Sequence, residues 1–175
     1  TTCTLVPTQI YMLLKSKRPE GFYKLKTLCF GGAKIQRSSI FEFLDRYKDI
    51  DLIETYGMTE LGPRVSCLNL SKHPDKIGSV GKPMDKIKVK IIDKNGNEVR
   101  AKAPGEIWIW SPCRMTGYYA NPAETAKVLR EGWFQTGDIG FQDEAGYLFI
   151  VGREKNIIIC GGINVYPEEY ENIIN

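Results

Sequence analysis

A strand, a helix and a second strand follow one another within about thirty residues, and that order limits the folds open to this chain. Lys24–Phe30, KLKTLCF, is a short strand-like run closed by Gly31 and Gly32. In SSIFEFLDRYK, Ser39 and Glu42 have capping-box spacing, and Ile40, Phe43, Leu44 and Tyr47 recur at helical intervals. DLIETY, from Asp51 to Tyr56, reads as the second strand. A crossover of this kind joins parallel strands and lays its helix on the sheet.

Open parallel sheets bind ligands beyond the carboxyl ends of their strands. The first strand ends in GGA, Gly31–Ala33, and the second in YGMTE, Tyr56–Glu60. Two glycine-marked loops would therefore lie side by side at that edge. ETYGMTELG admits two readings. One is a turn followed by a helix start. The other is a ligand site in which Gly57 lets the backbone come close, Thr59 supplies a hydroxyl and Glu60 a charge.

From about Lys76 the texture becomes β. KIKVKIID alternates polar and apolar residues, Asn95-Gly96 predicts a hairpin turn before EVR, and GEIWIWSP alternates again. One helix interrupts, with Asn121 as N-cap, Pro122 in the first turn, Glu124 closing a capping box and Gly132 as the stop. GWFQTGDIGFQDEAGYLFIVGR then gives two strands across a turn at Gly146. The pattern predicts a mixed α/β and β fold. A parallel-sheet part spans 1–75, a β-rich, barrel-like part spans 76–152, and 153–175 begins a small α+β domain.

Three further stretches carry chemistry. QTGDIG sets Asp138 between glycines in a turn, where a carboxylate can accept hydrogen bonds from the vicinal hydroxyls of a ribose. VGREKN sets Arg153 just after a strand, where a guanidinium reaches phosphate or sugar oxygens. IIICGGINVYPEEYE is an apolar strand, a glycine pair and a helix opened by Pro167. Taken singly, their plain alternatives are an Asp-Gly turn, a surface arginine and a simple turn.

Composition removes several classes. The net charge of +3 arises from 24 basic and 21 acidic residues that are interspersed, so neither nucleic acid nor a membrane surface is indicated. No apolar run approaches the roughly 18 residues of a membrane span. The one histidine, His73, lies in a polar stretch, which argues against a His-centred triad or a multi-histidine zinc site. Five cysteines without CxxC spacing read as reduced thiols of a cytosolic protein. The opening TTCTLVPTQI begins in mid-pattern and the final NIIN stops inside a helical pattern, so the expectation is a piece of a longer chain.

Taken together, YGMTE, GEIWIWSPCRMTGYY, GWFQTGDIG and GYLFIVGREKNIIICGGINVYPEEYE follow in the order and rough spacing of the adenylate-forming superfamily. That superfamily includes acyl-CoA synthetases, firefly-type luciferases and peptide-synthetase adenylation domains. The resemblance implies an enzyme that activates a carboxylic acid with ATP and Mg²⁺, forms an acyl-adenylate, and passes the acyl group to a thiol. It matches Gly31, Gly32 and Ala33 to the loop along the adenine, with Lys34 where a proline is common. Tyr56 matches the aromatic on the adenine ring, and Thr59 the hydroxyl that touches phosphate and substrate carboxylate. Glu60 matches the magnesium-linked carboxylate, Asp138 the ribose aspartate and Arg153 a nearby nucleotide contact. Lys155 matches the hinge of the small C-terminal domain, and Gly161-Gly162 the glycine loop that lines the pantetheine tunnel.

IIICGGINVYPEEYE resembles the fatty or aryl acyl-CoA synthetase version, which favours CoA over a carrier protein as acceptor. The superfamily's phosphate loop with its lysine, and its late catalytic lysine, have no match in these 175 residues. The stretch alone is therefore expected to adenylate poorly or not at all. The competing readings are a carrier-protein loader, a nucleotide-binding relative without catalysis, and a structural domain in which all these motifs are ordinary turns.

Overall fold

The computed structural model describes residues 1–17, 22, 24–156, 158–160, 163–165 and 167. Gly161, Gly162 and the expected final helix beyond Pro167 lie outside the described residues, as does most of the expected small domain after Lys155.

The expected crossover is present. Strand β1 (Thr2–Leu5) leads into helix α1 (Pro7–Lys15). Then come β2 (Thr27–Gly31), α2 (Arg37–Arg46), β3 (Asp51–Met58), β4 (Gly62–Asn69) and the short β5 (Lys82–Pro83). The sheet runs β1-β2-β3-β4-β5, parallel across its first three strands and antiparallel thereafter. Ile10 and Leu13 of α1 and Ile40 and Phe43 of α2 bury their side chains with Leu28, Phe30 and Leu52 of the strands. Helical spacing predicts those α2 positions because residues three and four apart share a face.

The capping box at Ser39 is not formed. The helix starts at Arg37 with Gln36 as its N-cap, and Ser39 is a buried residue inside it. Main-chain bonds from Ser39 and Ile40 N–H to the Gln36 carbonyl fix this earlier start.

The β-rich part contains β6 (Lys88–Ile92), β7 (Gly105–Trp110), helix α3 (Pro122–Val128), β8 (Leu129–Arg130), β9 (Trp133–Gln142) and β10 (Leu148–Arg153). These strands form a second, antiparallel sheet ordered β10-β9-β7-β6, with β8 beside β9. It is a curled half-barrel. Asn95-Gly96 turns as expected, with Asp93 Oδ1 accepting from the N–H groups of Asn95 and Asn97 at 2.8 Å each. The return segment EVR makes only one bridge, Ile92 to Glu98, before the chain turns again at Arg100. Asn121 caps α3 through a 3.2 Å bond from Glu124 N–H. Gly132 does not stop that helix, which ends at Val128; it turns β8 into β9. A short hairpin of β11 (Ile158–Cys160) and β12 (Ile163–Val165) follows, a second strand where the sequence pattern predicts one. Among the described residues no helix is long and apolar enough to cross a membrane.

Strand β4 belongs to both cores: Leu68 packs with the first, while Val65 and the preceding Leu61 pack with Ile107, Ile109, Phe134 and Leu148. The sheets are also stitched together at Gly81. Val80 N–H donates to Leu148 O, and Leu148 N–H donates to Gly81 O, both at 2.9 Å. Gly81 has φ +92°, and a Cβ there would lie 2.0 Å from Cys67 O. Gly81→Ala should therefore destabilise the protein by about 2–4 kcal/mol, through backbone strain plus a clash with main chain that cannot yield. Urea unfolding of the two proteins checks this.

Candidate functional site

Strands β2 and β3 end side by side, and the close approach of β2 to β3 and of β3 to β4 explains two of the expected site glycines. Gly31 pairs in register with Thr55, whose hydroxyl donates to Phe30 O at 2.9 Å. A Cβ on Gly31 would lie 2.3 Å from Thr55 O, and one on Gly57 2.5 Å from Pro63 O. Both positions are demanded by the protein's own backbone. Gly32 differs: its φ is +83° and the space beside it is open. There the missing side chain leaves room at the mouth of a cavity.

That cavity, about 690 Å³, lies between the two sheets. Gly32, Ala33 and Lys34 form one wall, Glu54 and Tyr56 of β3 another, and Asp138 and Arg153 of the second sheet a third. A second cavity of about 560 Å³ shares Gly32, Thr55, Gly57 and Met58 with it. Thr59 lines this second space, opposite Leu5 and Val6 at the start of α1.

Asp138 is not in a turn. It lies within β9, where the pairing with β7 slips between Glu106 and Trp108 and Gly137 takes φ +67°. The extra residues make a bulge, which re-aims side chains in an otherwise regular ladder. Asp138 is 3% exposed. Its Oδ2 accepts the Tyr56 hydroxyl at 2.6 Å, and its Oδ1 pairs with Arg153 Nε at 2.9 Å. Its N–H donates to Thr136 Oγ1 at 3.0 Å, and that hydroxyl in turn donates to Ile107 O at 2.7 Å. An ionised carboxylate has about four acceptor positions, so two protein bonds leave capacity for a ligand's hydroxyls. Burial, then the charge of Asp138, pushes the Tyr56 hydroxyl far above its ordinary range, so it stays a neutral donor.

Arg153 is the last residue of β10, half-exposed beside Asp138. Lys155 is exposed in a short helical turn, Glu154–Asn156. Glu60 and Thr59 occupy the turn joining β3 to β4. The Glu60 carboxylate accepts the Tyr118 hydroxyl at 3.0 Å, and its carbonyl accepts Met115 N–H at 2.7 Å. Among the described residues no group of three or more His, Cys, Asp or Glu could enclose a metal. A single, partly buried carboxylate suits Mg²⁺, which keeps several waters and binds through one or two carboxylates plus substrate phosphates.

Glu54 has no place in the motif reading. One of its oxygens, Oε2, is sealed from solvent without a hydrogen-bond partner among the described residues, on the wall of the larger cavity. Burial pushes its carboxyl up to about 7, against a smaller downward pull from Lys34. The signal was present in DLIETY: a glutamate two residues before Tyr56 in a strand shares its face. Phe141 and Phe149, stacked at 4.9 Å, extend the same wall.

Residues 1–119 match the AMP-binding enzyme family. The chain belongs to that family. A feruloyl-CoA synthase of an Amycolatopsis species is 40% identical over 148 residues, 85% of this chain and 30% of that protein. The fatty acid–[acyl-carrier-protein] ligase ScoC of Streptomyces coeruleorubidus is 35% identical over 179 residues, 99% of this chain and 34% of that protein. The solved structure of O-succinylbenzoate coenzyme A synthetase (MenE) from Bacillus subtilis, in complex with ATP and magnesium ion, superposes with a TM-score of 0.87 at 30% identity. That likeness covers 99% of this chain and 36% of MenE. The chain thus spans about a third of the length of the family members it matches. The fold is that of the adenylate-forming enzymes, as the order of motifs predicts.

The buried carboxyl gives a prediction with a definite sign. A carboxyl raised in the folded state is neutral in both states below about pH 4.5, and its burial lowers stability increasingly as pH rises to about 7. Glu54→Gln should match the parent near pH 4.5 and exceed it at pH 8 by up to about 3 kcal/mol, the size of a 2–3 unit shift. Urea midpoints measured across that range decide it.

Proposed function

We propose that this chain is the nucleotide-binding portion of an ATP-dependent acid–thiol ligase. In the first step a carboxylate attacks the α-phosphate of ATP, giving acyl-adenylate and pyrophosphate. In the second the CoA thiol, losing its proton, attacks the acyl carbon to form the thioester, and the acyl–phosphate bond breaks to release AMP. The observation that carries this reading is the convergence of Tyr56, Asp138 and Arg153, from two sheets, on one cavity beside Gly32 and Ala33.

On this reading the base lies along Gly32–Ala33 and against Tyr56. Asp138 accepts from the ribose hydroxyls, and Arg153 supplies charge beside them. Thr59, on the second cavity, donates where the phosphate and the substrate carboxylate meet. Glu60 would hold Mg²⁺, which when bound offsets the charge that builds on the phosphates. Lys155 would belong to a hinge and Gly161-Gly162 to the passage of the CoA arm. The division at residues 75 and 152 is part of the same proposal, although β5, at Lys82–Pro83, pairs within the first sheet. So is residence in the cytoplasm, which four free thiols among the described residues favour: Cys3, Cys29, Cys67 and Cys113.

A second reading replaces CoA by a carrier protein, and the likeness to a fatty acid–[acyl-carrier-protein] ligase favours keeping it. Pyrophosphate release by the full-length gene product separates the two, using a panel of carboxylic acids with ATP and Mg²⁺. Acid-dependent release that yields acyl-CoA when CoA is added is the expected result. Release without a CoA product would favour the carrier. Silence with intact nucleotide binding would leave a non-catalytic relative.

Asp138→Asn should weaken AMP binding by about ten- to a hundredfold, since hydrogen bonds to a charged group contribute about 1.5–3 kcal/mol. Calorimetric titration checks the affinity, and an unchanged near-ultraviolet circular dichroism spectrum checks the fold.

A further inference from the structure

The Glu60 carboxylate is restrained on one side only. Oε1 accepts the Tyr118 hydroxyl at 3.0 Å, while Oε2 takes no hydrogen bond from any described residue. The chain between β7 and α3 brings Tyr118 there by crossing the Met58–Gly62 turn. Along that crossing Ser111 Oγ donates to Leu61 O at 3.4 Å, and Met115 N–H to Glu60 O at 2.7 Å. Tyr118 is then tethered at its far side, its N–H donating to Thr125 Oγ1 at 2.9 Å, and that hydroxyl to Asn121 O at 2.9 Å. Asn121 and Thr125 are the cap and first turn of α3, none of whose residues is buried. The helix adds little to either core, with Val128 alone packed, partly buried, against the second. What it does hold in place is the backbone of Tyr118.

From this arrangement we infer that Tyr118 is a positioning residue for Glu60, fixing one carboxylate oxygen and leaving the other for the divalent cation that accompanies the nucleotide. The inference rests on the role proposed above for Glu60. A free glutamate loses rotamer freedom when it engages a cation; one already pinned at Oε1 has lost much of it beforehand. Partners that orient a ligating carboxylate are part of a metal site for this reason. Tyr118 touches neither the cavity that would hold the base nor Asp138, so its effect should be confined to the metal-dependent part of binding.

The test is calorimetric binding of ATP to the full-length gene product in Mg²⁺ and in EDTA, with AMP in EDTA as the control, and no carboxylic acid present. The readout is the gain in ATP affinity that Mg²⁺ confers. Tyr118→Phe should cut that gain about three- to tenfold, the worth of one hydrogen bond, and leave AMP affinity unchanged. Glu60→Gln should remove the gain. If Glu60→Gln removes it and Tyr118→Phe does not reduce it, the positioning role is wrong while the Glu60 role stands. If Glu60→Gln leaves the gain intact, the metal role and this inference fall together. Equal losses of ATP and AMP affinity in Tyr118→Phe would mean a merely structural residue. Should Tyr118→Phe not fold, Thr125→Val cuts the tether while keeping the phenol. The same selective loss is expected there, and an undiminished gain overturns the proposal.

Discussion

The Tyr56 hydroxyl and the Asp138 carboxylate meet at 2.6 Å across 82 residues of sequence, and the candidate site depends on that contact. Tyr56 leaves the parallel sheet and Asp138 leaves the half-barrel, so the bond sets the distance between the two walls of the cavity. Both groups are enclosed. A short bond from a neutral phenol to a buried carboxylate is stronger there than it would be in water, because little solvent competes for either partner. Arg153 supplies the opposite charge on the other oxygen, so the buried carboxylate is paired as well as hydrogen-bonded. The bulge at Gly137 is what allows β9 to present Asp138 to Tyr56.

A second constraint is steric. β4 serves both cores, and the chain after it returns through Gly81 to the edge of β10. Two sheets joined through one strand's side chains in this way cannot slide freely past each other. Gly31 and Gly57 are fixed by the same economy of space, since a methyl group at either would collide with main chain. A glycine in a ligand-binding motif is easily credited to the ligand. Here the packing of β2, β3 and β4 requires two of the three, and of these only Gly32 has open space beside it.

Much of this was legible in the residues. The apolar spacing of α2 and the alternation of β6 and β7 record burial directly, because each side chain's exposure follows its place in the helical or strand period. The motifs YGMTE, QTGDIG and VGREKN named Tyr56, Asp138 and Arg153, and the structure brings all three together. Local signals were less secure at boundaries. Ser39 carries a capping pattern yet lies inside its helix, since the earlier start at Arg37 is what buries Ile40 and Phe43 against the sheet. QTGDIG looks like a turn, yet the ladder with β7 and β10 holds it as a bulged strand.

The amino-acid sequence by itself determined the β2-α2-β3 crossover, the β-rich texture after Lys76 and the chemical character of the site. Those depend on neighbours a few residues apart, and on side-chain types that no fold can alter. Only the tertiary structure decided that Tyr56 spends its hydroxyl on Asp138, that Glu54 is a sealed carboxyl rather than a strand-edge charge, and that Tyr118 leans on Glu60. Each of those facts is a distance between residues far apart in sequence. Such distances are set by how the two sheets pack, which no local pattern encodes.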